Sequence, residues 1–269
     1  MNTKYFDVDN VVDRAMQITK DAGDLLLDKF KSEKQVSLKG RNDLVTDVDK
    51  LVEQQIIESL RTTFDGCGII AEESDAIRTE TGTTWIIDPL DGTRNYVNNI
   101  PFFSVNLALA IDDEVVLGIT LDPIRNELFH AIKGQGAYLN NKIIQVSNKE
   151  KTEDALIGYD LGYSDEKAGT AIEMILHLWP DLQSTRMMGS AALGLAYAAC
   201  GRTDLYFHHH LSKWDLAAAL VMISEARGVA TDRYGEPASL LSKSIIVSSH
   251  ALHADFMYKT RNTAWRMGA

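Results

Sequence analysis

Four acidic residues in this sequence follow or open apolar segments, which is where α/β folds commonly place their functional groups. Asp88 and Asp91 lie in the stretch WIIDPLDGTRNYV, directly after an apolar run and separated only by Pro-Leu. Glu72 follows the run GCGIIA, and Asp215 opens the apolar segment LAAALVMISEA. Carboxylates gathered in one place repel one another unless cations offset their charge, and Mg²⁺ is a hard cation that prefers oxygen ligands. The pattern therefore predicts a divalent metal site at these four side chains.

The residues after Asp91 predict a place for an anion beside that metal site. If a helix begins near Gly92, its free backbone N–H groups and the positive end of its dipole point towards the place where Asp88 and Asp91 also project. An anion held between N–H groups and divalent cations is an arrangement that suits phosphate chemistry. We therefore expect a phosphate group bridged by metal ions.

Each acidic residue also has an ordinary structural interpretation. Asp49 and Asp215 can simply stabilise helix N-termini, which is the commonest role of Asp at such positions. Glu72 beside Glu73 can be a solvated pair in a loop. The stretch Asp-Pro-Leu-Asp can be a turn, but two carboxylates directly after an apolar strand lose their hydration unless they are paired or bound to metal.

The composition of the chain limits the kind of partner it can bind. Its 269 residues are 45% hydrophobic and 24% charged, which is ordinary for a globular protein with a large core. The formal net charge of −11 argues against a surface that neutralises a nucleic-acid backbone or an anionic membrane. Bound cations would let such an acidic protein attract a small anion, so we expect a small phosphorylated metabolite as the partner.

The cysteines and the first residues predict a cytoplasmic protein. Cys67 and Cys200 do not have the spacing of a metal site, and two cysteines are few for a disulfide framework, so both are expected to be reduced. The first ten residues, MNTKYFDVDN, carry acids where a signal peptide needs a basic segment followed by an apolar one. No apolar run approaches the roughly 20 residues of a membrane span.

Two regions with different hydrophobic patterns must position the acidic residues. In the first region, apolar residues at helical spacing predict helices over residues 8–30 and after Thr46, which with Asp49 resembles a capping box. A short strand is predicted at residues 36–38, and a run of strands, several of them antiparallel, follows from Gly68. Beyond about Ser147 strands alternate with helices at residues 166–178, 190–199, 216–227 and from 252 onwards, which predicts a layered α/β half. We place the boundary between halves 1–146 and 147–269 and expect one catalytic unit, with most metal ligands in the first half.

Taken together, these segments resemble the inositol monophosphatase family of magnesium-dependent, lithium-sensitive phosphatases. DLVTDVDKLVE at residues 43–53 is similar to an early family segment, and AEES at residues 71–74 is similar to its Glu-Glu-Ser element. WIIDPLDGTRNYV and, about 120 residues later, WDLAAALVMISEARGVATD at residues 214–232 resemble the two family signatures in the correct order. KGQGAYLNNKIIQVS fits a family hairpin and not a nucleotide-binding loop. The resemblance covers most of the chain, and it implies an alternating α-β-α-β-α sandwich of two halves and a homodimer paired through the first half.

The resemblance also implies roles for individual residues in the hydrolysis of a phosphomonoester by metal-activated water. Glu72, Asp88 and the Leu90 carbonyl would hold a first Mg²⁺, and Asp88, Asp91 and Asp215 a second, with a third, weaker ion near Glu72. The residues implied in catalysis are Thr93, Asp49 and Glu72. Those implied in substrate binding are Gly92, Thr93, Gly189, Ser190, Ala191, His208 and Asp215. Lys39 matches a family lysine near the site.

One position departs from the family pattern. Inositol-selective members carry a glutamate seven residues before the second-metal aspartate, where it contacts a ring hydroxyl, and this chain has His208 within FHHHL. The departure predicts a phosphatase that accepts inositol 1-phosphate and other small phosphomonoesters. Alternative activities on such a scaffold are cleavage of the 2′-phosphate of NADP(H), of fructose 1,6-bisphosphate or of 3′(2′),5′-bisphosphate nucleotides, or binding without turnover. For residues 208–210 themselves we expect polar lining of the site or solvent exposure, and not a transition-metal site.

Overall fold

Helices are spread along the whole of the described chain. The computed structural model describes residues 8–32, 35–40, 43–78, 82–162 and 168–268. The α-helices within these ranges are α1 (Val8–Phe30), α2 (Asp47–Thr63), α3 (Thr93–Val97), α4 (Ala168–Leu178), α5 (Ala191–Ala199), α6 (Lys213–Glu225), α7 (His250–Thr260) and α8 (Ala264–Met267). None of the described helices combines the length and the hydropathy needed to cross a bilayer.

The strands form a small hairpin and two large sheets. They are β1 (Val36–Gly40), β2 (Asp43–Thr46), β3 (Gly68–Ala71), β4 (Thr83–Asp91), β5 (Ser104–Ile111), β6 (Glu114–Asp122), β7 (Glu127–Ile132), β8 (Gly136–Leu139), β9 (Lys142–Ile143), β10 (Leu156–Asp160), β11 (Ser184–Met187), β12 (Leu205–His208), β13 (Val229–Thr231) and β14 (Ile245–Ser248). One sheet has seven strands in the sequential order β3 to β9, and it is antiparallel except for the β3–β4 pair. The other has five strands in the order β11-β10-β12-β14-β13, in which β10 is parallel to both of its neighbours.

Helices and sheets alternate in five layers. The helices α1 and α2 pack on one face of the seven-stranded sheet, and α5 and α6 fill the space between the two large sheets. The helices α4, α7 and α8 cover the outer face of the five-stranded sheet. This alternation confirms the α-β-α-β-α sandwich that the resemblance implied.

The predicted elements are present, with differences mainly at their ends. The α1 bounds agree with the prediction, and Thr46 and Asp49 form the expected capping box. The helix α6 begins at Lys213, three residues earlier than predicted, because the Asp215 carboxylate accepts the backbone N–H of Ser212 at 2.7 Å and so caps the first turn. The strand β13 was not predicted, since three residues are too few to show alternation. The start of the predicted helix 166–178 lies partly outside the described residues.

The helix α6 rests directly on the seven-stranded sheet at Gly118 of β6. A Cβ atom at Gly118 would lie 2.3 Å from the carbonyl oxygen and 2.8 Å from the Cα atom of Ala218. At the other end of α6, the Glu225 carboxylate accepts two backbone N–H groups from the turn at residues 134–136, at 2.7 and 2.8 Å. The position of α6 relative to the first sheet is therefore set at both its middle and its end.

We expect Gly118→Ala to lower the free energy of unfolding by about 1–3 kcal/mol, the usual cost of an extra methyl group in a packed interior. The atoms that the methyl group meets belong to the backbone of α6, so the helix would have to move away from the sheet. A urea titration of the native and variant proteins measures the change. Gly169→Ala in α4 is the matched control, because a Cβ atom there meets nothing within 4 Å. Unchanged stability of Gly118→Ala would show that the contact relaxes without cost.

Candidate active site

The predicted site residues converge on one pocket between the two halves of the chain. The pocket has a volume of about 370 Å³, and the predicted residues that line it are Glu72, Asp88, Leu90, Asp91, Gly92, Thr93, Gly189, Ser190, Ala191, His208 and Asp215. Asp49 is buried behind the pocket and contacts Thr93. The Lys39 side chain lies outside the described part of the chain.

An irregularity in β4 brings Asp88 and Asp91 to the same side of the sheet. Residues three apart in a regular strand point to opposite faces. Here the register against β5 shifts, so that Asp88 pairs with Asn106 and Asp91 with Ser104, two residues whose side chains share a face. A bulge of this kind re-aims a side chain, and Pro89 is a residue that strands tolerate there. Both carboxylates therefore point into the pocket.

Three carboxylates meet closely enough to share metal ions. Oxygen atoms of Asp88, Asp91 and Asp215 lie within 4.8 Å of one another. Burial raises the pKa of Asp88 well above its usual range, and the charges of Glu72, Asp91 and Asp215 raise it further. Burial also raises the pKa of Asp91. Charged carboxylates are thus unfavourable here without a cation, and an all-oxygen donor set fits a hard ion such as Mg²⁺.

A buried glutamate that the sequence analysis did not single out holds the loop of Glu72. Glu53 of α2 is only 3% exposed, and its carboxylate accepts the backbone N–H of Glu73 at 2.7 Å. This bond fixes the chain just after β3, where Glu72 enters the pocket. The signal in the sequence is an acidic residue directly after Val52 on the apolar face of a predicted helix.

The N-terminus of α5 binds Asp91. The Asp91 carboxylate accepts hydrogen bonds from the Ser190 hydroxyl and from the backbone N–H groups of Ala191 and Ala192, the latter two at 3.1 and 3.0 Å. The structure thus places Ser190 and Ala191 against a candidate metal ligand from the other half of the chain. The short helix α3 begins directly after Gly92. The φ of Gly92 is +91°, a left-handed conformation suited to glycine.

Thr93 and Asp49 form a hydrogen-bonded pair at the edge of the pocket. The Thr93 hydroxyl lies 3.2 Å from Asp49 Oδ1 and 3.0 Å from the Leu90 carbonyl oxygen. A hydroxyl has one hydrogen to donate and two lone pairs, so it can donate to one of these oxygens and still accept from a water. Burial raises the pKa of Asp49, and hydrogen bonds from Thr46 oppose that shift.

We expect Thr93→Ala to lower kcat by about 100-fold or more, the usual contribution of a positioned proton-transfer group, with a smaller change in KM. If the hydroxyl acts on an attacking water and not on the bound substrate, as the resemblance implies, its loss should appear in turnover. Steady-state phosphate release measures both constants, and Thr93→Ser is the control because it keeps the hydroxyl. A change in KM alone would contradict the assigned role of the pair.

The histidines at 208–210 do not share one environment. His208 is 4% exposed and lines the pocket, and burial lowers its pKa to about 3, so the ring is neutral at physiological pH. Its Nδ1 atom accepts the backbone N–H of His210 at 3.2 Å, which places the ring proton on Nε2. His209 is buried, and its Nδ1 atom accepts the indole N–H of Trp265 at 2.9 Å. Solvent exposure is therefore wrong for His208 and His209, and His208 can donate one hydrogen bond.

A fifth carboxylate in the pocket was also missed. Asp160 ends β10, lies opposite His208 of β12 in the parallel register, and lines the pocket. It is 6% exposed, and burial raises its pKa to about 7. The signal was the one used for Asp88, an acidic residue at the end of an apolar strand.

The five-layer fold and its acidic pocket define a layered α/β protein with a candidate metal site. The chain belongs to the inositol monophosphatase family, whose model matches residues 7–266. It is 37% identical to the inositol monophosphatase of Dictyostelium discoideum over 248 residues, which are 89% of this chain and 90% of the relative.

Two bacterial relatives show the same similarity over nearly the whole chain. The Nus factor SuhB of Haemophilus influenzae is 36% identical over 251 residues, 92% of this chain and 94% of the relative. The extragenic suppressor protein suhB of Bartonella henselae superposes with a TM-score of 0.91 at 33% identity and covers 94% of this chain and 99% of its own. The family therefore includes relatives named both as phosphatases and as a Nus factor.

Proposed function

We propose that this protein is a Mg²⁺-dependent phosphomonoesterase that hydrolyses inositol 1-phosphate and other small phosphomonoesters. The observation that carries this proposal is the meeting of Asp88, Asp91 and Asp215 within 4.8 Å, in a pocket that Thr93 also lines. Family membership supports the phosphatase class. The two halves, 1–146 and 147–269, would act as one catalytic unit, because the acidic cluster takes residues from both.

The side chains of the pocket have distinct roles in the proposed reaction. Two to three Mg²⁺ ions would be held by Glu72, Asp88, Asp91, Asp215 and the Leu90 carbonyl, and such ions lower the pKa of water and offset charge on phosphoryl oxygens. Thr93 Oγ1 donates a hydrogen bond to Asp49 Oδ1 and accepts a hydrogen bond from the attacking water. The second bond orients that water. The backbone N–H groups of Gly92 and Thr93 donate hydrogen bonds to phosphate oxygens. Attack by water in line with the leaving oxygen requires no covalent phosphoenzyme.

His208 supports a broad substrate range. A neutral ring with its proton on Nε2 presents a hydrogen-bond donor, whereas a glutamate presents a charged acceptor. A hydrogen-bond donor suits a substrate that carries a second anionic group. NADP is such a substrate, because it carries an anionic group besides the 2′-phosphate that would be cleaved. The more distant relative SaIMPase-II, 26–27% identical with TM-scores of 0.77 and 0.78, was solved with inositol monophosphate bound and with 2′-AMP bound.

A panel of phosphomonoesters tests the proposed function. Inorganic phosphate release is measured with Mg²⁺ for inositol 1-phosphate, NADP, fructose 1,6-bisphosphate, a 3′-phosphonucleotide and a simple polyol phosphate. We expect turnover of inositol 1-phosphate and of at least one other compound. Binding of Mg²⁺ without phosphate release from any compound would favour the alternative of a binding protein without turnover.

We expect His208→Glu to lower kcat/KM for NADP relative to inositol 1-phosphate by roughly tenfold or more, equivalent to about 1.4 kcal/mol. The new carboxylate would add negative charge to a pocket that already contains five acidic side chains, and it would repel a second anionic group. His208→Gln is the control, because it keeps a donor and adds no charge. A native enzyme that prefers inositol 1-phosphate by several orders of magnitude, with a ratio unmoved in His208→Glu, would contradict this role.

We also propose a homodimer in the cytoplasm. The resemblance implies pairing through the first half, where the described structure exposes apolar side chains such as Leu51 and Ile100. The second half also exposes apolar side chains, at Ile172, Leu176 and Trp179. Sedimentation velocity at micromolar concentration measures the assembly, and a monomer would contradict the proposal.

A further inference from the structure

The backbone of residues 188–192, here called the seam segment, is held by carboxylates from both halves of the chain. Asp160 Oδ1 accepts the backbone N–H groups of Met188 and Gly189 at 3.0 and 2.7 Å. Asp91 of the first half accepts the N–H groups of Ala191 and Ala192 at 3.1 and 3.0 Å. Four amides of one short segment are therefore divided between two acids that line the same pocket.

The carbonyl groups of the seam segment are held from the first half as well. The Asn95 amide nitrogen lies 3.2 Å from the carbonyl oxygens of both Met188 and Gly189, and 2.8 Å from that of Phe102. Gly189 has a φ of +75°, and a Cβ atom there would lie 2.7 Å from the Asn95 amide nitrogen. Asn95 therefore limits movement of the segment towards the first half, and Asp160 holds the amides of the same two residues.

Asp160 is itself rigidly placed. It is the last residue of β10, a strand paired on both sides within the five-stranded sheet. Its Oδ2 atom accepts the hydroxyl of Tyr206 at 2.9 Å, and Tyr206 is fully buried. A Cβ atom at Gly194 of α5 would lie 2.2 Å from the Tyr206 ring, so the ring packs directly on the helix that follows the seam segment.

We propose that Asp160 is a positioning residue for the metal site, which holds the seam segment so that α5 presents its N-terminus to Asp91. The structural chain runs from the Tyr206 hydroxyl through Asp160 to the seam segment and on to Asp91, the candidate ligand from the other half. Donors that orient a metal-binding carboxylate typically set its affinity for the ion. The inference rests on the proposed function in one respect, the assignment of Asp91 as a Mg²⁺ ligand.

Isothermal titration calorimetry with Mg²⁺ tests this role in Asp160→Ala and Asp160→Asn. Both variants remove the charge of Asp160, but only the asparagine keeps an oxygen that can accept the two amides of the seam segment. We expect Asp160→Ala to weaken Mg²⁺ binding by about 10–100-fold, the range typical of groups that orient a metal ligand, with Asp160→Asn within about threefold of the native protein. Where the variants turn over, the same loss should appear as a higher Mg²⁺ requirement and not as a higher substrate KM.

Asp204→Ala is the matched control. Asp204 is also a buried acid, and it accepts the Ser147 hydroxyl and the backbone N–H of Leu156 at the opposite end of β10. This variant should lose stability yet bind Mg²⁺ like the native protein.

The outcomes separate this inference from the proposed function. A native protein that binds no Mg²⁺ overturns both. Native binding together with unchanged affinity in Asp160→Ala, or with equal losses in the alanine and asparagine variants, overturns the positioning role alone. Should Asp160→Ala fail to fold, Tyr206→Phe decides the matter: we expect Mg²⁺ binding to weaken by at least about threefold through loss of the bond that holds Asp160, and unchanged affinity overturns the inference.

Discussion

Asp91→Asn is expected to reduce kcat by roughly 1,000-fold, which corresponds to a loss of about 4 kcal/mol of transition-state stabilisation by bound metal. The substitution removes the negative charge from one of the three carboxylates that meet in the pocket and leaves the shape of the side chain nearly unchanged. The fold should survive, because an amide oxygen can still accept from the N-terminus of α5 and a neutral group is easier to bury there. Phosphate release and thermal unfolding measure the two effects.

Asp204→Asn is the control for this prediction. Asp204 resembles Asp91 in its surroundings, since it is buried and accepts both a serine hydroxyl and a backbone N–H, but it does not line the pocket. We expect it to retain native turnover per folded molecule. If Asp91→Asn kept more than about a tenth of native kcat, equivalent to a loss under about 1.4 kcal/mol, Asp91 would not be a metal ligand essential for turnover.

Removal of divalent cations should abolish phosphate release, and added Mg²⁺ should restore it. Asp88, Asp91 and Asp215 repel one another in a buried pocket, and the transition state adds negative charge beside them, so the reaction needs cations to proceed. Exhaustive chelation followed by dialysis prepares the protein for the assay. Full activity in excess chelator would contradict the proposed mechanism. By resemblance to the family, we also expect Li⁺ to inhibit phosphate release.

The same experiment has a readout in stability. Burial raises the pKa of Asp88 and of Asp91 in the folded protein, so the metal-free protein should lose stability as the pH rises through these raised values. Mg²⁺ binds the charged carboxylates and offsets that loss. The increase in Tm caused by Mg²⁺ should therefore be larger at neutral pH than near 3.8, the ordinary pKa of an aspartate. An increase that does not grow with pH would show that these carboxylates do not bind the ion.

Local patterns were sufficient for most of the fold and for the principal site residues. The bounds of α1, the capping box of Thr46 and Asp49, and the strand that ends at Asp160 depend on periodicity and turn chemistry over short stretches, which a sequence displays directly. Asp88, Asp91 and Asp215 stood out because charged residues at the edges of apolar segments require compensation. Short elements such as β13 carried too few residues for any pattern.

Local sequence patterns could not give the protonation state of His208 or the side-chain directions of Asp88 and Asp91. The sequence identified His208 as a departure from the family pattern, but only its burial and its bond from the His210 N–H make the ring neutral with its proton on Nε2. The side-chain directions of Asp88 and Asp91 depend on the register shift against β5, which brings two residues three positions apart onto one face. Both properties arise from neighbours that are set by packing and not by adjacent sequence.

The amino-acid sequence by itself determined the elements, the family and the acidic residues that can bind metal, because each depends on residue type and short spacing. Only the tertiary structure decided how the two halves are joined at the pocket. Asp91 contacts residues about 100 positions later in the chain, and Asp160 holds the same segment through other amides. Such contacts exist because helices α5 and α6 pack between two sheets built from different parts of the chain, and no pattern in either part alone reveals the distance between them.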